Sequence, residues 1–221
     1  MSEALNNNNV AAPHEITLLG EVHPLLQPLG SCDGLTDVAG YSELMAGAKV
    51  RDLESLRSFL EIYQRDVLVR FEFPAIISAH MRARQNEARE LIALDGELAS
   101  RDLPPDFAAA SRRVGQGHLQ RLRPLRDDRV VQRYLKAVDS GEASGWHTVV
   151  YGVTLAVYSI PVRQGLILYA RQTLEGFVRA AARPLQITSV DCKDLIAALC
   201  SNIPKLVEQV LQQHVPSERQ A

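Results

Sequence analysis

The sequence predicts an all-α protein, a single domain built as a compact bundle of about nine to ten short helices. Three observations lead there. Apolar residues recur at three- and four-residue steps along most of the chain, and no segment alternates apolar and polar residues as a strand would. The composition is 46% hydrophobic but only 5% aromatic, and it is dominated by Ala, Leu, Val and Arg, which favours helix over sheet. Third, Gly145 to Ile160 is nearly uncharged and apolar on almost all sides. A helix of that kind is buried on most faces. Its apolar run is shorter than the roughly twenty residues that cross a bilayer.

Residues 1–14 contain Asn6 to Asn9 and no apolar core, and read as a disordered leader without a targeting signal. The helical domain is expected over 15–213, with a polar tail at 214–221. Residues 16–30 are apolar but carry Pro24 and Pro28, so a short or broken helix is expected. Gly30 to Gly40 is a loop. Asp52 caps a helix whose inward residues are Leu53, Leu56, Leu60, Tyr63 and Val67. Phe73-Pro74 marks a new helix start, because proline is tolerated in a first turn. Residues 88–100 form a helix with a Leu91/Leu94/Leu98 stripe. Pro104-Pro105-Asp106 opens the next helix, running toward Leu122. Asp127 or Asp128 starts another, with Val130, Val131, Tyr134, Leu135 and Val138 inward, and Ser140-Gly141 ends it. The buried helix follows from Gly145 and Pro161 interrupts it. Helices over 162–182, 189–199 and 204–213 complete the chain, with Pro184 ending the first of these.

Net charge is −2, so no global field attracts nucleic acid or membrane. The three cysteines, Cys32, Cys192 and Cys200, are odd in number and lack C-x-x-C spacing. A disulfide framework is not expected, and a reducing cytoplasmic setting fits. Cys192 and Cys200 read as buried apolar thiols. No two of the six histidines are spaced as a paired helical ligand set, and no phosphate-loop, nucleophile-elbow or zincin motif occurs. Gly115-Gln116-Gly117 lies within a helical pattern, which points to close helix packing. Asp95 and Glu97 are two apart on a helix and face different sides, so both are expected on a solvated surface. Arg112, Arg113, Arg121, Arg123 and Arg126, with His118, read as a solvated face or protein-interface patch. His147 lies on the most buried helix and should hydrogen-bond across to another helix. The residues alone show no catalytic site.

Five stretches, in order, resemble the urease accessory protein F (UreF) family. Val50 to Leu60 is similar to its "V-x-D-x-x-S-L-x-x-F-L" helix, and is followed by Pro74-Ala75 and a helix ending at His80. Leu94-Asp95-Gly96-Glu97-Leu98 resembles "L-D-x-x-L". Ala110-Ser111-Arg112-Arg113-Val114-Gly115 resembles "A-S-x-x-x-G". Gly145-Trp146-His147 through Tyr151-Gly152 is similar to "G-H-y-x-x-v-x-G" with one residue inserted. Val178 to Arg183 resembles "V-S-A-A-V-R". The family's glycine-rich signature survives at Asp33–Ser42 only as Gly34 and Gly40. After Arg183 its two glycines are missing, and its tail pattern does not occur in the polar segment that closes at Ala221.

The resemblance implies a helical chaperone of nickel insertion, not an enzyme. It implies binding to a nickel-carrying GTPase (urease accessory protein G) and to a second accessory protein (H or D), with delivery of nickel to apo-urease. It further implies a homodimer, and no cofactor of the chain's own, since its partners handle the nickel. Gly34, Gly40, Ser111, Gly115 and Arg183 are the candidate partner-facing residues, and His147 is the buried polar core residue. Arg183 reads either as a carboxylate anchor or as a helix C-terminal residue favoured by the local dipole. Two other readings stand beside this one: a helical adaptor or paralogue with no urease role, and an enzyme such as a small-molecule transferase with its pocket between helices.

Overall fold

The computed structural model describes residues 50–101 and 105–214. Helix α1 spans Leu53–Tyr63, a π-helical segment follows over Gln64–Glu72, and α2 spans Phe73–Arg84. Then come α3 (Ala88–Ala99), α4 (Pro105–Arg121), α5 (Arg129–Asp139), α6 (His147–Val157), α7 (Val162–Ala182), α8 (Ser189–Cys200) and α9 (Ile203–His214). No strand occurs among the described residues, and the fold is all-α. None of these helices is long and apolar enough to cross a membrane.

Local chemistry sets most helix ends. The Asp52 carboxylate accepts the Ser55 N–H at 2.8 Å while the Ser55 hydroxyl accepts the Asp52 N–H at 3.1 Å, a reciprocal capping box. Asp128 caps α5 through the Val131 N–H, and Thr188 caps α8 through the Asp191 N–H. Beyond α5, Gly141 takes φ +80°, a left-handed turn open to glycine at no steric cost.

The sequence expects a fresh start at Phe73-Pro74, but the backbone stays helical from Leu53 to Arg84. Proline has no N–H, so a helix reaching it must dispose of a carbonyl four residues earlier. Here the turns before Pro74 are already wound in π geometry, with the Phe73 N–H on the Leu68 carbonyl five residues back. The wider turn moves the inward position by one residue. Leu68 is fully buried, whereas Val67, expected inward from the 3.6-residue period, is only half-buried. Helices α8 and α9 also nearly adjoin, so the nine described α-helices form fewer continuous helical runs.

Helix α6 is the axis of the bundle. Every residue from His147 to Leu155 is buried. It packs chiefly on α2 and α4, with α3 and α7 also in contact. The α2 crossing is tight because Gly152 lacks a side chain: a Cβ there would lie 2.6 Å from the Ile76 carbonyl oxygen and 2.9 Å from the His80 nitrogen. Helix α7 carries α8 and α9 on its other side.

Candidate functional site

Three of the five motif stretches, those holding Asp95, Ser111–Gly115 and Gly145–His147, meet at the turn that leads into α6. Trp146 is the N-cap of α6, and its own side chain makes no capping bond. The capping group comes from α3 instead. Asp95 accepts the Ser144 N–H at 2.5 Å, the Trp146 N–H at 2.8 Å and the Tyr134 hydroxyl at 2.5 Å. A carboxylate at a helix N-terminus is also favoured by the helix dipole. Asp95 is fully buried, which corrects its expected place on a solvated surface. The physical reason is its register: Leu91, Asp95 and Leu98 share one helical face, and all three are buried. Glu97 does lie on the exposed side. Burial, the Asp95 charge and their hydrogen bond together hold the Tyr134 phenol well above its ordinary pKa, so it remains a donor.

Helix α4 closes the other side of the turn. A Cβ on Gly115 would fall 2.0 Å from the Gly145 carbonyl oxygen and 2.8 Å from the His147 nitrogen. One turn earlier, the Ser111 hydroxyl lies 2.5 Å from His147 Nδ1 and accepts the His147 N–H at 3.4 Å. On the far side of the ring, His147 Nε2 lies 2.7 Å from the Tyr169 hydroxyl and 3.7 Å from Glu72 Oε1. The Tyr63 hydroxyl donates to the same Glu72 oxygen at 3.2 Å. Burial and the Glu72 carboxylate hold the Tyr63 and Tyr169 phenols well above their ordinary range. In the arrangement where each hydroxyl donates once, Ser111 donates to His147 Nδ1, His147 Nε2–H to Tyr169, and Tyr169 to Glu72.

Hydroxyl, imidazole and carboxylate in sequence are the members of a nucleophile triad. Here Ser111 is 1% exposed, and His147 and Glu72 are fully buried. The chain of bonds joins α4, α6, α7 and the π segment inside the core, and in this conformation it meets no dissolved substrate.

The structure thus brings three of the six named residues, Ser111, Gly115 and His147, to one buried junction. Their contacts lie within the domain. Arg183 stands apart as the exposed C-cap of α7. Gly34 and Gly40 lie outside the described residues. Sequence reasoning turned Tyr63 and Tyr134 inward, as found, but gave neither of them, nor Glu72, Tyr169 or Asp95, a role at this junction. Asp95 had a signal in its leucine face. Glu72 had one too: a lone carboxylate between Phe71 and Phe73, ahead of an apolar run.

Two surfaces complete the picture. Within the basic stretch, Arg123 forks onto Asp139 at 2.8 and 3.1 Å. His118 is buried, and desolvation, with Arg121 nearby, lowers its pKa to about 4. The stretch is therefore not one continuous cationic face. Between α7 and α8 an open groove of about 710 Å³ is lined by Arg171, Arg179, Lys193, Ile196, Cys192 and Cys200, among others. Both thiols are half-buried against this groove, not sealed in the core as the sequence suggested, because α8 turns that edge outward. Burial raises the Cys200 thiol to about 11. Among the described residues, no group of three or more His, Cys, Asp or Glu is arranged to hold a metal ion.

The model of the UreF family matches residues 50–200, the span that contains this whole junction. The chain is 21% identical to the urease accessory protein UreF of Sporosarcina pasteurii over 158 residues, covering 72% of this chain and 78% of that protein. It is also 21% identical to urease accessory protein UreF 1 of Brucella melitensis and UreF 2 of Brucella abortus over 161 residues, 73% of this chain. Those alignments cover 66% of the Brucella proteins, so the chain spans just under two thirds of their length. Identity is low, but the family match runs across most of the described helices and takes in Asp95, Ser111, Gly115 and His147. The chain belongs to the UreF family.

Proposed function

We propose that this protein acts in urease maturation as a binding protein: it engages the nickel-carrying GTPase, urease accessory protein G, and a second accessory protein, H or D, and so supports nickel insertion into apo-urease. The observation that carries this reading is the family match over residues 50–200. UreF proteins are urease accessory proteins by name, which favours a partner-binding role over catalysis, and a cytoplasmic, homodimeric protein is part of the same reading. Mechanistically, such a protein works by coupling. If it binds one nucleotide state of the GTPase more tightly, it shifts that equilibrium by the difference in affinity and by no more.

The buried junction supports the role indirectly. Asp95, Gly115, Ser111 and His147 fix where α3, α4 and α6 stand, and thereby the shape of the outer surface. Arg183, exposed at the end of α7, is the named residue free to meet a partner carboxylate directly.

The test is size-exclusion chromatography with light scattering, on the protein alone and mixed with the cognate G and H or D proteins, with nickel and GTP present. A shared complex at micromolar concentration supports the reading. Separate migration of all components refutes it and leaves a helical adaptor without a urease role. An Arg183→Ala variant run alongside reports whether that residue lies in the interface.

A further inference from the structure

The continuous helix from Leu53 to Arg84 changes geometry in its middle. Gln64–Glu72 is π-helical over nine residues, whereas π geometry mostly occurs as single turns inside α-helices. A side-chain bond joins the two ends of this segment. Tyr63, the last residue of α1, donates its hydroxyl to Glu72 nine positions later. That spacing does not suit an α-helix. At 3.6 residues per turn, nine residues rotate by about 900°, which sets the two side chains on opposite faces. At the roughly 4.4 residues per turn of an i→i+5 helix, nine residues make close to two whole turns. The Tyr63–Glu72 bond therefore reads the register of the backbone, because it forms in π geometry and is lost in α geometry.

Both partners are deep in the core, with Tyr63 4% exposed and Glu72 fully buried. Glu72 is also bonded by Tyr169, and His147 Nε2 lies 3.7 Å from the same Oε1 that Tyr63 bonds. The Tyr63 ring packs on Phe177 with centroids 4.5 Å apart. The next residue, Gln64, ties the joint to α8 by donating from Nε2 to the Leu199 carbonyl at 3.2 Å. Interior backbone groups are hydrogen-bonded in both π and α geometry. Pro74 perturbs only the last turn of the segment, so over the rest of it side chains weigh in the choice.

We propose that the Tyr63–Glu72 bond is a register clamp on a π-helical joint, and that α1 is a movable arm held in place by it. With the clamp closed, Leu56, Leu60 and Tyr63 face the core. With it open, the joint relaxes toward α geometry and α1 turns by about half a turn relative to α2. That rotation carries its apolar face away from α7 and breaks the Gln64–Leu199 tie.

Hydrogen exchange by mass spectrometry on the full chain tests the clamp. Tyr63→Phe keeps the ring on Phe177 and removes only the hydroxyl. Amides of residues 53–72 should exchange about tenfold faster or more, the effect of losing one bond to a charged acceptor, with α5 and α6 unchanged. Tyr134→Phe deletes an equally buried hydroxyl–carboxylate bond at Asp95, and it should leave residues 53–72 at the wild-type rate. Deletions test the geometry. Removing Arg65 and Asp66 leaves Tyr63 and Glu72 seven apart, about 700° in an α-helix and so on one face again. Removing Arg65 alone leaves them about 80° out of phase. The two-residue deletion should melt well above the one-residue deletion. Wild-type exchange in Tyr63→Phe, or a two-residue deletion that melts at or below the one-residue deletion, overturns the proposal.

Discussion

Replacing Asp95 with Asn tests whether a buried carboxylate on α3 holds the start of α6. The side chains are nearly isosteric, so packing is preserved and the acceptor pattern alone changes. Asp95 accepts from the Ser144 N–H on one oxygen, and from the Trp146 N–H and Tyr134 hydroxyl on the other. An amide keeps one acceptor oxygen and turns its NH2 toward donors. It therefore loses at least one bond to a charged acceptor, each worth about 1.5–3 kcal/mol, and some of the favourable charge at the helix N-terminus. A destabilisation of about 3 kcal/mol follows. For a protein of this size that is roughly 6–12 °C in Tm, a large part of a total stability of about 5–15 kcal/mol. The assay is thermal and urea unfolding by circular dichroism at pH 7. Glu97→Gln is the matched comparison: it lies two residues away, its side chain is 67% exposed, and its partner is Arg101 at 3.6 Å. It should change stability by less than about 0.5 kcal/mol. Adding Tyr134→Phe to Asp95→Asn should cost less than the sum of the two single changes, because they share one bond. An Asp95→Asn protein within about 0.5 kcal/mol of wild type would refute the capping argument.

Two further predictions follow from the same region. Gly115→Ala places a methyl group against the Gly145 and His147 backbone, which cannot yield as a side chain would; destabilisation of about 1–3 kcal/mol or more is expected in urea unfolding, and a neutral result would show that α4 does not pack as closely as described. His118 gives a pH dependence. Its folded-state pKa is lowered to about 4 from 6.5 by burial and by Arg121, so the unfolded chain binds the proton more readily. Stability from this group is complete above pH 6.5 and is lost as pH falls toward 4. His118→Gln should flatten that part of the urea-midpoint profile relative to wild type, and an unchanged slope would refute it. His80, also lowered by burial and by Arg84, adds in the same direction and remains in both proteins.

The helix start at Asp52, a start at Asp127 or Asp128 that the structure settles as Asp128, and the stop at Ser140-Gly141 were legible because capping is local: donor and acceptor lie within four residues. The burial of α6 was legible from its apolar circumference. The π joint was not. Leu56, Leu60 and Tyr63 keep the 3.6-residue period, and the break shows only as burial of Leu68 in place of Val67. The need of a buried imidazole for partners follows from the His147 environment alone. That those partners are Ser111 and Tyr169, 36 and 22 residues away, does not.

The all-α class, most helix ends, the central helix and, through motif order, the family can be read along the chain. Each of these depends on interactions between near neighbours or on a pattern carried along one helix. What the packed helices added is the set of partners each inward polar residue meets. Asp95 shares a helical face with Leu91 and Leu98 and Glu97 does not, but that Asp95 caps α6 from within the core follows only from the packing. A buried charge is tolerated only where donors from distant segments converge on it, and that convergence is a property of the packed helices, not of any stretch of chain.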